Sequence, residues 1–327
     1  MKRLLLIDAN SIIHRSFHAL PPFTTPEGKP SGAIYGIASI LIKLWREEKP
    51  DYVAALFDRP EPTFRDKIYK EYKAQRPPAA SELIEQIIES HNLFHAFGIK
   101  TFEMPGYEAD DLIATFTEAF HEKGGVKKGD TKDGEPGLQV VILTGDRDTL
   151  QLVQDDRIVV QSFNKGVSDT TIYDEKAVIA KYGLPPAQLI EYKALVGDSS
   201  DNIKGVPGVG PKTAADLITR FGTVKNMFEK LHEDPKLQAK FGAFKKEADL
   251  SRELVILERH VPIEIPALGD LAPHDESDAV VAYFQAMGFV TLLRRFLTNG
   301  EPEPTGGVQT RKPLREPKRK NPQAPLF

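Results

Sequence analysis

An α/β core with a mostly parallel sheet, followed by an all-helical domain, is the fold this sequence predicts. Three observations predict it. Apolar runs of strand character at Leu4–Ile7, Val53–Phe57 and Val140–Leu143 are each followed closely by acidic residues. Between these runs lie segments with the i, i+3, i+4 spacing of amphipathic helices, and such alternation implies parallel βαβ units. After about Thr171 the pattern becomes almost wholly helical, with Pro185, Pro186, Pro207 and Pro211 punctuating short helices.

The first strand is predicted over Arg3–Asp8. A helix from Gly32 to Glu48 gathers Ile34, Ile37, Ala38, Leu41, Ile42 and Trp45 on one face, and a second strand covers Tyr52–Phe57. Ser81 is a candidate N-cap for a helix reaching Phe97, with Gly98 as its stop. Its Leu83, Ile84, Ile87, Ile88 and Phe94 are expected in the core. A short strand near Ile99–Phe102 leads to a helix opened by Glu108 that buries Leu112, Ile113, Phe116 and Phe120. A charged, glycine-rich loop, Gly124–Gly137, precedes the strand Gln139–Thr144. The expected domains are residues 1–170 and 171–298. Residues 299–327 are proline-rich and basic and read as a disordered tail.

At 327 residues, 40% hydrophobic and 28% charged, the chain has an ordinary globular composition. Cysteine is absent, which excludes disulfides, thiolate zinc sites and cysteine nucleophiles. No stretch is long enough to span a membrane, and Leu4–Ile7 is too short for a signal-peptide core. A cytoplasmic location is the expectation.

Nine carboxylates carry the chemical signal: Asp8, Asp58, Glu108, Asp110, Asp111, Asp146, Asp148, Asp198 and Asp201. They form five clusters, and three of these follow predicted strands. In a parallel sheet the strands' carboxyl ends share one edge, where ligands bind. So many acids together repel unless cations hold them, and a hard divalent ion suits oxygen donors. Two such ions can activate a water and stabilise the leaving oxygen of a phosphodiester. Glu108 and Asp111 are three apart and share a helix face, while Asp110 is expected to point elsewhere. The formal charge of −4 does not exclude a phosphate ligand, because setting aside the nine acids leaves the remainder net positive.

Two further segments point to nucleic acid. Between Asn202 and Asp216, Gly205, Gly208 and Gly210 free the backbone to approach a phosphate. Pro211 then opens a helix whose first N–H groups, with Lys212 and Thr213, face an anion. This is a helix-hairpin-helix type of element that grips a DNA backbone without reading sequence. The segment Arg59–Pro78 interleaves Arg59, Arg65, Lys67, Lys70, Lys73 and Arg76 with Phe64, Tyr69 and Tyr72, a mixture that suits single strands. The pairs His14/His18 and His91/His95 have metal-compatible spacing but lack an evident third ligand, so structural roles are expected.

IDANS, FDRPEPTFR, EYKAQRPP, GYEADD, LTGDRD, GDSSDNIKGVPGVGPKTA and FVTLLRRF together resemble the 5′-nuclease domain of bacterial DNA polymerase I, in the flap endonuclease superfamily. The likeness runs from about Lys2 to Leu297. It implies a PIN-like nuclease core with an arch, then a helix-three-turn-helix domain. It also implies cutting of 5′ flaps and 5′ ends of DNA in replication or repair by a magnesium-dependent monomer, with manganese able to substitute. By this resemblance Asp8, Asp58, Glu108, Asp110 and Asp111 match the first metal site, and Asp146, Asp148, Asp198 and Asp201 complete the second. Arg15, Arg65, Tyr72, Lys73 and Arg76 match residues that steer the scissile phosphate, and potassium is implied at the Gly205–Gly210 turn. Ala9 departs from the glycine usual after the first aspartate, and the Gly124–Gly137 loop is longer than usual. Gln323, Leu326 and Phe327 fit a Gln-x-x-Leu-Phe pattern that resembles bacterial sliding-clamp ligands. Its place on a flexible tail leads to the expectation of a stand-alone nuclease. The alternatives are a PIN-type ribonuclease and a non-catalytic junction-binding protein.

Overall fold

The structure is a computed structural model that describes residues 1–123, 137–164, 166, 169–274 and 276–298. Six strands, β1 (Lys2–Asp8), β2 (Tyr52–Phe57), β3 (Lys100–Glu103), β4 (Leu138–Thr144), β5 (Ile158–Phe163) and β6 (Thr170–Tyr173), form one sheet in the order β3-β2-β1-β4-β5-β6. Every pairing is parallel except β5 with β6. β1 lies between β2 and β4, with Ile7 opposite Ala55 on one side and Leu143 on the other. A strand buried on both faces needs a continuous apolar run, which Leu4, Leu5, Leu6 and Ile7 supply.

Successive side chains alternate between faces. Leu5 and Ile7 therefore enter the core beneath α1 (Ala9–Ala19), α2 (Gly32–Lys43) and, beyond the short α3 (Phe64–Ile68), α4 (Ser81–Ala96). Leu4 and Leu6 join Leu112, Ile113 and Phe116 of α5 (Ala109–Lys123) on the other face. At full burial each such leucine contributes about 1.5–3 kcal/mol. α6 (Glu175–Tyr182) adds Val178 to that second core.

A separate core is built from α7 (Leu189–Val196), α8 (Pro211–Phe221), α9 (Val224–Lys230), α10 (Pro235–Phe241) and α11 (Lys245–Val255). The chain then turns back. Leu257, Val261 and Leu271 pack under α5's face, while α12 (Ser277–Ala286) and α13 (Val290–Leu297) place Val280, Phe284 and Leu292 in the core with α2 and α4. The expected helical region is thus divided, and its last part covers the core of the α/β domain. β6 runs across the expected boundary at 170/171.

Three local expectations change. The helix from Gly32 is α-helical to Lys43 and closes in a π-helical turn, Leu44–Glu48. Ser81 begins α4 and Ala80 is its N-cap. Ile84 and Ile88 are 47% and 66% exposed rather than core. Gln86 takes the buried position because its amide oxygen accepts the Ala33 N–H at 2.7 Å, satisfying an orphan donor in the first turn of α2. The loop Gly124–Gly137, apart from Gly137, and the tail with Gln323, Leu326 and Phe327 lie outside the described residues. Among the described residues no helix is long and apolar enough to cross a membrane.

Candidate active site

The carboxyl ends of β1, β2 and β4 bring the inner acids together. Asp8 ends β1 and caps α1: its Oδ1 accepts the Ser11 N–H at 3.0 Å and its Oδ2 accepts Thr144 Oγ1 at 2.6 Å. Asp58 follows β2 and accepts the Ala109 N–H at 2.7 Å, which fixes the start of α5 and delivers Asp110. Asp146 follows β4; its N–H donates to Thr144 Oγ1 at 2.9 Å, and its Oδ1 accepts the Asp148 N–H at 2.9 Å.

These groups share one electrostatic environment. Burial, then the charge of Asp58, pushes the Asp8 carboxyl up to about 7, against the pull of its Thr144 and Ser11 hydrogen bonds. Burial also drives Asp110 well above the usual carboxylate range, and Asp146, Asp8, Asp148 and Asp58 add to the effect. None of the largest influences on Asp8 or Asp110 is a lysine or arginine. Buried hard oxygen donors without an internal cation fit a divalent ion.

The outer acids carry cations of the chain's own. Lys193 Nζ sits between Asp148 and Asp198, 2.7 Å from Asp198 Oδ2. Burial nevertheless raises Asp148 to about 7. Burial pushes Asp198 up as well, but Lys193 and Ser200 outweigh it and hold that carboxyl below its ordinary value. Lys73 Nζ lies 2.6 Å from Glu108 Oε1, and the Arg76 guanidinium lies 2.6 Å from Asp201 Oδ1. Among the described residues no group of three or more acids or histidines is arranged to hold an ion as it stands. Lys73, Lys193 and Arg76 cover the outer acids.

The sequence matches two adjoining family models. They are the 5′-3′ exonuclease N-terminal resolvase-like domain over residues 3–183, and the 5′-3′ exonuclease C-terminal SAM fold over residues 184–278. The chain belongs to the 5′-3′ exonuclease family. It is 40% identical over 266 residues to a 5′-3′ exonuclease of Aquifex aeolicus, covering 81% of this chain and 85% of that one. It is 39% identical over 296 residues to DNA polymerase I of Bacillus subtilis, covering 90% of this chain and 32% of the polymerase. The chain therefore spans about a third of the polymerase's length. Among solved structures it resembles bacteriophage T5 5′-exonuclease with zinc ions bound (TM-score 0.62, 22% identity, 92% of this chain, all of that one). It also resembles the catalytic core of Rad2 with DNA substrate (TM-score 0.55, 17% identity, 90% and 92%). At these identities the two likenesses concern the fold.

Within this family member, several expected site residues do other work. Asp111, expected on the metal, is 0% exposed, and both its oxygens accept from Arg65 at 2.7 and 2.8 Å. It also accepts the N–H groups of Glu108 and Glu258 at 3.1 and 2.9 Å. Asp110, expected to point elsewhere, is the helix residue that faces the inner acids. The spacing argument correctly made Glu108 and Asp111 neighbours, but what they share is an arginine. Arg65, expected to steer phosphate, is 1% exposed and also donates to the carbonyls of Leu254 and Ile256. It joins three chain segments and cannot reach a ligand.

Tyr72 is 5% exposed, and its hydroxyl donates to Glu108 and Asp201 at 3.0 and 3.1 Å, so its ring offers no platform for a base. Arg15 donates to the carbonyls of Asn164 and Gly166 beyond β5 and lies over the Phe163 ring. Gly205 faces inward. A Cβ there would collide with the backbone of Gly197, and its N–H donates to Ser251 Oγ at 3.2 Å. Gly208 and Gly210 are open and exposed beside exposed Lys212 at the start of α8, with Thr213 half-buried. His91 stacks on Phe57 at 3.9 Å, a structural role. Lys193 was not foreseen, although a lysine on a helix five residues before Asp198 was a visible signal.

Proposed function

We propose that the chain is a divalent-metal-dependent, structure-specific 5′ nuclease that hydrolyses DNA phosphodiesters at 5′ ends and flaps in replication and repair. The observation that carries the reading is the convergence of Asp8, Asp58, Asp110 and Asp146 at one sheet edge, with Asp8 and Asp110 held uncompensated there. Asp8, Asp58, Asp110 and Asp146 would hold one ion, and Glu108, Asp148, Asp198 and Asp201 would complete a second position. Magnesium is the natural occupant, and when bound it supplies an acidified water and a Lewis acid.

The chain's own groups supply binding and orientation. Lys73 and Arg76 flank the acids on the segment between β2 and α4 and would meet the charge of the scissile phosphate. The open Gly208–Gly210 turn and the N-terminus of α8, with Lys212, would hold duplex backbone away from the cut. Thr144 and Ser11 fix the Asp8 carboxylate so that it does not rotate during turnover.

Cleavage of an end-labelled 5′-flap duplex, with magnesium or with chelator, tests this. Asp146→Asn should lose cleavage by roughly 100-fold or more while retaining flap affinity, since it removes an ion ligand and no phosphate contact. Cleavage persisting in chelator, or near-normal turnover by that variant, would refute the assignment. An RNA flap of matched sequence should be cut poorly.

A further inference from the structure

We propose that residues 71–76 form a cationic latch that rests on the outer acids in the metal-free protein, and that a divalent ion must displace it. The inference rests on the reading of Glu108 and Asp201 as metal ligands. Three uncharged donors fasten this segment to the turn at residues 198–204. Gln75 Nε2 donates to the carbonyls of Ser199 and Ser200 at 3.1 and 3.0 Å. Asn202 Nδ2 donates to the Glu71 carbonyl at 2.7 Å, and the Lys73 N–H donates to the Asp201 carbonyl at 3.0 Å. Lys204 adds an exposed ion pair to Glu71 at 3.2 Å.

The backbone at this seam is unusual on both sides. Lys73 has φ 52° and Asn202 φ 60°, both left-handed. Asparagine tolerates that region, but lysine enters it against steric preference, so surrounding contacts must hold it. In that conformation Lys73 Nζ reaches Glu108 at 2.6 Å and Asp201 at 3.8 Å, while Arg76 reaches Asp201 at 2.6 Å. The Tyr72 hydroxyl closes the same two carboxylates from below.

A carboxylate oxygen that accepts from an ammonium or guanidinium cannot present the same electrons to an ion, and the cations repel each other. Latch and ion therefore compete, and each weakens the other by the same factor. Gln75 and Asn202 touch no acid side chain. They are positioning residues that set the stability of the closed latch. Once the ion has loaded, Lys73 and Arg76 are released toward a substrate phosphate, which places ion binding before productive DNA engagement.

Calcium titrated calorimetrically into the full chain, which avoids turnover, tests this with wild type, Gln75→Ala and Asn202→Gly. Glycine keeps the left-handed backbone at 202, and the two variants lie on opposite sides of the seam, so a folding defect in one does not decide the outcome. Asn202→Gly should bind calcium about fivefold more tightly, the size expected from losing one such hydrogen bond in the closed state, and Gln75→Ala, which loses two, at least as much more tightly. Calcium should also accelerate amide hydrogen exchange across residues 71–76 of the wild type. Unchanged affinity in both variants, or exchange that calcium leaves alone, overturns the latch while the metal site stands. No calcium binding to wild type overturns the metal assignment and the latch with it.

Discussion

Asp8 makes the metal-free protein sensitive to pH in a direction opposite to most paired carboxylates. Its ordinary value is 3.8, and burial with Asp58 nearby raises it to about 7 in the fold. Between those values the folded state binds a proton that the unfolded state has released, so stability falls as pH rises from about 4 to 7. A shift of this size corresponds to about 4 kcal/mol. The Thr144 and Ser11 hydrogen bonds favour the ionised carboxyl and are weaker to an amide, so a net gain of about 2 kcal/mol is expected from Asp8→Asn at pH 8 in chelator. For a chain of this size that is a Tm rise of about 3 °C. Asparagine still accepts from Ser11, and its amide can face Thr144 once that hydroxyl turns. The assay is thermal unfolding of wild type and variant at pH 5 and pH 8, with chelator or with magnesium. The variant's advantage should appear only at pH 8 in chelator and reverse with magnesium, which stabilises only the intact acid set. A wild type equally stable at both pH values in chelator would refute the reasoning, as would a variant that magnesium stabilises just as much.

Other perturbations separate structural acids from those proposed to hold an ion. Asp111→Asn leaves Arg65 buried and unpaired and should cost about 3–5 kcal/mol in chemical denaturation. Asp110→Asn should cost nothing in chelator, and equal losses for the two would contradict their assignments. Gly205→Ala forces a Cβ into Gly197 at φ 64° and should destabilise the helical region by about 2 kcal/mol or more. Gly210→Ala has open space and an ordinary φ of −95°, so it should fold normally and lose only duplex affinity, as fluorescence anisotropy would show. Deleting Gln323–Phe327 should abolish capture by an immobilised sliding clamp and spare flap cleavage; equal capture would remove that peptide from consideration.

The legible parts of the fold were those whose signal is local. β1, β2 and β4 read as apolar runs because both faces of a central parallel strand are buried, and the acids just beyond them marked the sheet edge. β5 and β6 were missed. β6 is an antiparallel edge strand of four residues, three half-buried and Ile172 exposed, too short and too mixed to stand out. α12 and α13 lie in the stretch that reads as helical, but their return to the sheet's core depends on partners in α2 and α4, far away in sequence.

The sequence by itself determined which residue types were available: nine acids, a glycine turn before a helix, and a basic segment after Asp58. That pointed to one sheet edge, because acids that follow parallel strands converge wherever those strands end together. Only the tertiary structure decided how the acids divide. Asp110 and Asp111 are adjacent and chemically identical, so no sequence pattern ranks them. The choice is made by Arg65, forty-six residues earlier, which closes on Asp111 in a dry interior where an unpaired charge would be costly. Asp110, on the next helical position, is left facing four other carboxylates, and that repulsion is what an ion would relieve.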